Sequence, residues 1–217
     1  MTIRIQLADD HMITREGLKS LIQNENHMEI VAEVDNGRSA VEKAVNLIPD
    51  VIIMDINMPG LNGIEATKQI LAQHPQIKII ALSMFSERRY VMGMLKAGVS
   101  GYLLKDCAFN ELLNAIETVL KGSRYLGQQI TDIVMDDLLN DRPAEELSLN
   151  TSLSGREREV LQMIAEGTSS IHIATRLHVS EKTISTHRRK IMTKLNIHSI
   201  AGLTKFAIRE GITSLDT

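Results

Sequence analysis

The chain has 217 residues, 43% of them hydrophobic and 24% charged, with a formal net charge of −3 and a single cysteine. That suits an ordinary folded chain of one large or two small domains in a reducing cytoplasm, and it excludes an internal disulfide. No apolar run approaches the ~18–20 residues of a membrane span, no Cys/His spacing suits zinc, and Met1-Thr2-Ile3-Arg4 reads as the entry to a strand rather than a signal peptide. The charge is uneven: residues 1–147 carry 14 Lys+Arg against 21 Asp+Glu, net −7, and residues 148–217 carry 10 against 6, net +4. An acidic front and a basic tail predict two domains with different partners, the tail's being polyanionic.

The spacing predicts a strand over Ile3–Ala8, a helix over Met12–Gln23, a strand over Glu29–Val34 and a helix over Gly37–Leu47 closed by Pro49. Val51-Ile52-Ile53-Met54-Asp55 is a β-branched, apolar run of the kind buried on both faces of a parallel sheet. It ends at an acid, and Asn57-Met58-Pro59-Gly60 cannot continue the ladder. A helix from about Asn62 to Gln73, a strand over Ile77–Leu82, a helix over Glu87–Ala97, a strand over Gly101–Leu104 and a helix over Ala108–Lys121 follow. Five strands alternating with five helices predict a doubly wound parallel α/β sheet over residues 1–122. Residues 123–151 read as a linker with one helix, Ile130–Leu139, and a tether over Ala144–Thr151. Residues 152–217 read as a small all-α domain: a capping box at Ser154 and Glu157, a short helix over Ser170–Leu177, a turn at His178-Val179-Ser180, a longer helix over Glu181–Leu195 and a last one over Ile200–Ile208.

Asp9, Asp10 and Asp55 all end strands at one edge of the predicted sheet, where open α/β sheets place their ligands. Three carboxylates together repel, so a hard divalent cation, Mg²⁺, is the natural companion. Ser83 and Lys105 end the next two strands and add a hydroxyl and an ammonium. A carboxylate nucleophile, a divalent ion, an ammonium and a hydroxyl are the parts needed to take up a phosphoryl group. These positions resemble the receiver domain of bacterial two-component response regulators. The resemblance implies a flavodoxin-like fold with strand order 2-1-3-4-5 and phosphorylation of Asp55 by a sensor histidine kinase. It also implies Mg²⁺ held by Asp9, Asp10, Asp55 and the Asn57 backbone carbonyl, a phosphoryl contact from Lys105, and a switch pair of Ser83 and Tyr102. His11 is a neighbour of this site, with Met12 where the family commonly has Pro, and Cys107 a packing residue.

In the basic tail, helical angles place Ile184, Ile191 and Leu195 inward and Lys182, Ser185, Thr186, Arg189 and Thr193 outward. Lys190 and Lys194 fall to one side, where phosphates would lie. Leu153 to Leu161, Ile164-Ala165-Glu166-Gly167, Ile173-Ala174 and Lys182 to His187 look like the LuxR-type helix-turn-helix, and the whole chain then resembles the NarL/FixJ subfamily of response regulators. The resemblance implies base contacts from Ser185, Thr186 and Arg189 to double-stranded DNA, phosphate contacts from Thr183, Lys190 and Lys194, and dimerisation through the last helix around Leu203 and Ala207, up to Ile208. Ser170-Ile171-His172 replaces the family's usual Asn-Lys-Glu run and removes a lysine from the short helix. The expectation is a phosphorylation-controlled transcription factor that binds paired half-sites as a homodimer and turns over no external substrate. Three rivals are disfavoured. A phosphatase would want an acid where Asn57 stands; a regulator that is never phosphorylated does not need Asp10, Asp55, Ser83 and Lys105; an acyl-lactone sensor does not match residues 1–122.

Overall fold

The computed structural model describes residues 2–106, 108–139 and 153–214. Cys107 and the tether expected over 144–151 lie outside these. The described residues form two compact units.

The first unit is a parallel sheet of β1 (Ile3–Ala8), β2 (Met28–Val34), β3 (Val51–Asp55), β4 (Lys78–Ser83), β5 (Gly101–Leu104) and β6 (Tyr125–Leu126), in the order β2-β1-β3-β4-β5-β6. The helices are α1 (Met12–Gln23), α2 (Gly37–Leu47), α3 (Gly63–Gln73), α4 (Arg88–Ala97), α5 (Ala108–Leu120) and α6 (Gln128–Leu139). The expected order 2-1-3-4-5 is therefore present, with one strand added. All five residues of β3 are buried, as a β-branched run between two helical layers must be. Leu18 and Ile22 of α1 and Leu112, Ala115, Ile116 and Val119 of α5 pack with Ile5, Leu7, Ile53, Ile80, Leu82 and Leu103 on one face of the sheet. The alternate residues Ile52, Met54, Ile79 and Ala81 are equally buried and point to the other face. With every strand parallel, all the carboxyl ends emerge at one edge, and that geometry builds the site.

The boundary expected at residue 122 is displaced. Tyr125 pairs with Gly101 and Leu126 with Tyr102, so β6 extends the sheet instead of leaving it. Gly101 makes the approach possible, because a Cβ there would come within 3.1 Å of the Tyr125 carbonyl oxygen. Ile130 of α6 is fully buried, and Arg88 of α4 is ion-paired with Asp137. The segment expected to start a linker is thus part of the first unit.

The second unit is α7 (Gly155–Ala165), α8 (Ser170–Arg176), α9 (Glu181–Leu195) and α10 (Ile200–Arg209). Ser154 accepts from the Glu157 amide and the Glu157 carboxylate accepts from the Ser154 amide, which is the capping box expected from the sequence, worth about 1 kcal/mol. Ser169, Ser180 and Ser199 cap the other three helices by accepting from the amides of His172, Thr183 and Gly202. His178, at φ +52°, turns the chain between α8 and α9. Leu161, Ile173, Ile184, Ile191, Leu203, Phe206 and Ala207 belong to one buried cluster.

Candidate functional site

At the carboxyl edge of the sheet, β1 delivers Asp9 and Asp10, β3 ends on Asp55, β4 ends on Ser83, and Lys105 follows β5. The Lys105 ammonium lies 2.8 Å from Asp9 Oδ2 and 3.2 Å from Asp55 Oδ2, with all three side chains nearly buried. Asp55 Oδ1 accepts from the Ile56 amide at 2.8 Å, and Asp9 Oδ1 accepts from the His11 amide at 2.8 Å. The His11 ring nitrogen is 2.8 Å from Asp10 Oδ1 and 3.3 Å from Asp9 Oδ1. One ligand atom each from Asp9, Asp10, His11 and Asp55 lie within 4.8 Å of one another, a set able to hold a metal ion. The three carboxylates fit the oxygen-rich donor set of a hard cation.

Burial pushes the Asp55 carboxyl up to about 7, Lys105 pulls it down, and Asp9 and Asp10 push it up again. The group is thus poised to gain from any further positive charge.

The loop after Asp55 is shaped by Gly63, a residue the sequence reading did not single out. Its amide donates to the Ile56 carbonyl at 2.7 Å, and a Cβ there would stand 2.0 Å from the Asp55 carbonyl oxygen. The available signal was a glycine directly after the N-cap Asn62, where a side chain that favours helix would ordinarily serve better. Asn57, in this loop, lies near the Tyr90 hydroxyl, whose pKa burial raises and the Asn57 side chain draws back down.

Ser83 and Tyr102 meet at Phe85. The Ser83 hydroxyl oxygen accepts from the Phe85 amide at 3.0 Å, and the Tyr102 hydroxyl donates to the Phe85 carbonyl at 2.7 Å. Both residues are fully buried, and burial raises the Tyr102 phenol far above its usual range. The Phe85 ring in turn packs on Tyr90, with centroids 4.9 Å apart.

In the second unit, Lys182, Thr186, Arg189 and Lys190 of α9 are exposed and Thr183 and Ser185 half-buried, with Ile184 and Ile191 turned into the core as expected. Thr183 is also part of the Ser180 cap, with the two hydroxyls 2.9 Å apart, and the Thr186 hydroxyl donates to the Lys182 carbonyl at 2.9 Å. Three expected contacts are differently placed. The Lys194 ammonium is 2.7 Å from the Glu157 carboxylate, engaged in holding α9 to α7. Leu203 and Ala207 are fully buried, because α10 turns the stripe containing Leu203, Phe206 and Ala207 into the core. Ile200, in the first turn of the same helix, is half exposed.

Comparison with known proteins agrees with this arrangement. Residues 5–117 match the response regulator receiver domain, and residues 151–207 match the bacterial regulatory proteins of the luxR family. The chain is 36% identical over 213 residues to the oxygen regulatory protein NreC of Staphylococcus epidermidis, covering 96% of this chain and 98% of that one. It is 35% identical over 222 residues to the transcriptional regulatory protein DegU of Brevibacillus brevis, covering 96% and 94%. Among solved structures, RcsB from Salmonella enterica serovar Typhimurium, bound to a promoter in the presence of phosphomimetic BeF3-, superposes with a TM-score of 0.59 at 26% identity, covering 98% of this chain and 100% of that one.

Proposed function

Because the chain belongs to the DNA-binding response regulators that join a receiver domain to a LuxR-type helix-turn-helix domain, we propose that it controls transcription through phosphorylation of Asp55 by a sensor histidine kinase. The observation that carries this reading is the setting of Asp55. It is nearly buried at the end of the central strand, 3.2 Å from the Lys105 ammonium and beside two further carboxylates.

An oxygen of ionised Asp55 attacks the phosphorus of a phosphohistidine, the P–N bond breaks, and the imidazole leaves with the electron pair and takes up a proton. Asp55 becomes an acyl phosphate. Asp10, Asp55 and the Asn57 carbonyl, with Asp9 beside them, would hold Mg²⁺ through oxygen atoms, and the ion would offset the charge of the incoming phosphoryl oxygens. Lys105 moves from pairing carboxylates to pairing the phosphoryl group. Ser83 gives up the Phe85 amide to donate its hydroxyl to a phosphoryl oxygen, and Tyr102 follows as Phe85 shifts. The energy for the change comes from the dianion created in a pocket already crowded with carboxylates.

The exposed face of α9 is the reading surface. Ser185, Thr186 and Arg189 reach base edges, while Lys182, Thr183 and Lys190 meet phosphates. Lys194, already committed to Glu157, is left out of the phosphate contacts. Two copies bind paired half-sites, and a dimer contact on α10 would use its exposed residues, such as Ile200, and not the buried Leu203 and Ala207. A DNA partner puts the protein in the cytoplasm.

Intact-protein mass spectrometry after incubation with acetyl phosphate and Mg²⁺ tests the reading. One phosphoryl adduct is expected, absent in Asp55→Asn and absent without Mg²⁺, and with it a tighter complex with promoter DNA. A folded wild type that gains no adduct would overturn it and point to a regulator that answers a ligand instead.

A further inference from the structure

Arg88 opens α4, and together with Arg89 it puts two cations in the first turn, where the helix dipole disfavours them. Each has a compensating partner. Arg89 lies over the Tyr90 ring, 4.8 Å from its centroid, and Arg88 is ion-paired with Asp137 on α6. The Arg88–Asp137 pair is mostly shielded from water, its side chains 24% and 13% exposed, so it is held more firmly than an open surface pair. Its position on α6 matters. The first half of that helix is fixed by the buried Ile130 and by the Thr131 hydroxyl on the Gly127 carbonyl, whereas the second half exposes Met135, Leu138 and Leu139, with Ile133 and Val134 half-buried and the Asp137 carboxylate paired to α4.

Arg88 also stands three residues after Phe85, the residue on which Ser83 and Tyr102 converge. A change at Ser83 or Tyr102 therefore pulls on the loop that leads straight into Arg88. We propose that Arg88 and Asp137 are a latch between the phosphorylation site and α6: the re-seating of Phe85 withdraws Arg88 from Asp137 and releases the second half of α6. Residues 132–139 then join the stretch of chain ahead of the DNA-binding unit, which lengthens its reach and changes the effective concentration of one recognition helix relative to its twin. The latch rests on the phosphorylation reading for its trigger but not for its existence.

Hydrogen–deuterium exchange of the full chain over residues 132–139, with and without beryllofluoride and Mg²⁺, tests it. Exchange there is expected to rise about tenfold or more on adding beryllofluoride. Arg88→Ala is expected to show the fast rate with no activator, to take up phosphoryl from acetyl phosphate like wild type, and to shrink the ratio of DNA affinities between phosphorylated and unphosphorylated forms by about fivefold or more. The double exchange Arg88→Asp with Asp137→Arg is expected to return residues 132–139 to slow exchange. If Arg88→Ala leaves them as slow as in wild type, or if an adduct forms on wild-type Asp55 while they stay protected, the latch is wrong. If no adduct forms on wild type but Arg88→Ala still loosens α6, the latch stands and the phosphorylation reading fails.

Discussion

Gly63 and Asp55 are in contact through their backbones: a Cβ at Gly63 would sit 2.0 Å from the Asp55 carbonyl oxygen, a distance no side chain rearrangement can relieve. Gly63→Ala must push α3 away from the end of β3. The expected result is a loss of about 1–3 kcal/mol in stability, as for other overpacked sites, together with slower phosphoryl uptake because the loop carrying Asn57 moves with α3. Chemical denaturation and the time course of adduct formation measure the two effects, and a fully active, fully stable variant would refute the contact.

The raised Asp55 carboxyl gives a pH signature with a definite sign. Its folded value of about 7 lies above the ~3.9 of an unfolded aspartate, so the folded state binds the proton more tightly. In metal-free buffer this contribution to stability is fully present below pH 4 and is lost as the pH rises through about 7. Thermal melts across that range are expected to show the decline in wild type, a flatter profile in Asp55→Asn, and recovery in wild type when Mg²⁺ is added.

Lys194 and Lys190 are neighbours of opposite fate. Lys194→Met strands the nearly buried Glu157 carboxylate, which the Lys194 bond and the Ser154 amide hold below the usual range against the effect of burial. A loss of about 1–3 kcal/mol is expected, with little change in the salt dependence of DNA binding. Because the folded Glu157 value is depressed, this stabilisation is present at neutral pH and disappears as the pH falls through that value. Lys190→Ala is expected to do the reverse, leaving stability alone and lowering the slope of log K against log salt by about 1.

Ile48 ends α2 with φ +47°, a left-handed conformation that a β-branched side chain tolerates poorly. Arg4 reinforces the corner by donating to the Leu47 and Ile48 carbonyls at 2.6 and 3.0 Å. Ile48→Gly is expected to raise stability on the order of 1 kcal/mol, since the side chain is half exposed and the strain is removed. A lower melting temperature would count against this account of the corner.

The strand ends that build the site were legible because each is a chemical discontinuity: Val51 to Met54 stops at Asp55, Ile79 to Leu82 stops at Ser83, and Gly101 to Leu104 stops at Lys105. The helix cap at Ser154 was readable for a similar reason, since the cap side chain acts within three residues. What escaped depends on distant partners. Tyr125-Leu126 has no periodicity to detect, and only its pairing with Gly101 and Tyr102 across the ladder makes it a strand. The rotation of α10 that buries Leu203 and Ala207, like the reach of Lys194 to Glu157 on another helix, is fixed by tertiary packing and leaves no mark on the local pattern.

The short strand β6 has a bearing on how this protein can be divided. A sheet with an open side invites other strands to add to it, and the two sides here are guarded differently. On β2 the exposed Glu29 and Glu33 repel an incoming chain, while on β5 the protection is β6 itself. Cutting after residue 122 would bare the β5 backbone at Gly101 and Tyr102, which β6 covers, and such a fragment is expected to self-associate through that side. A fragment ending after residue 139 keeps its own cover and is expected to stay monodisperse.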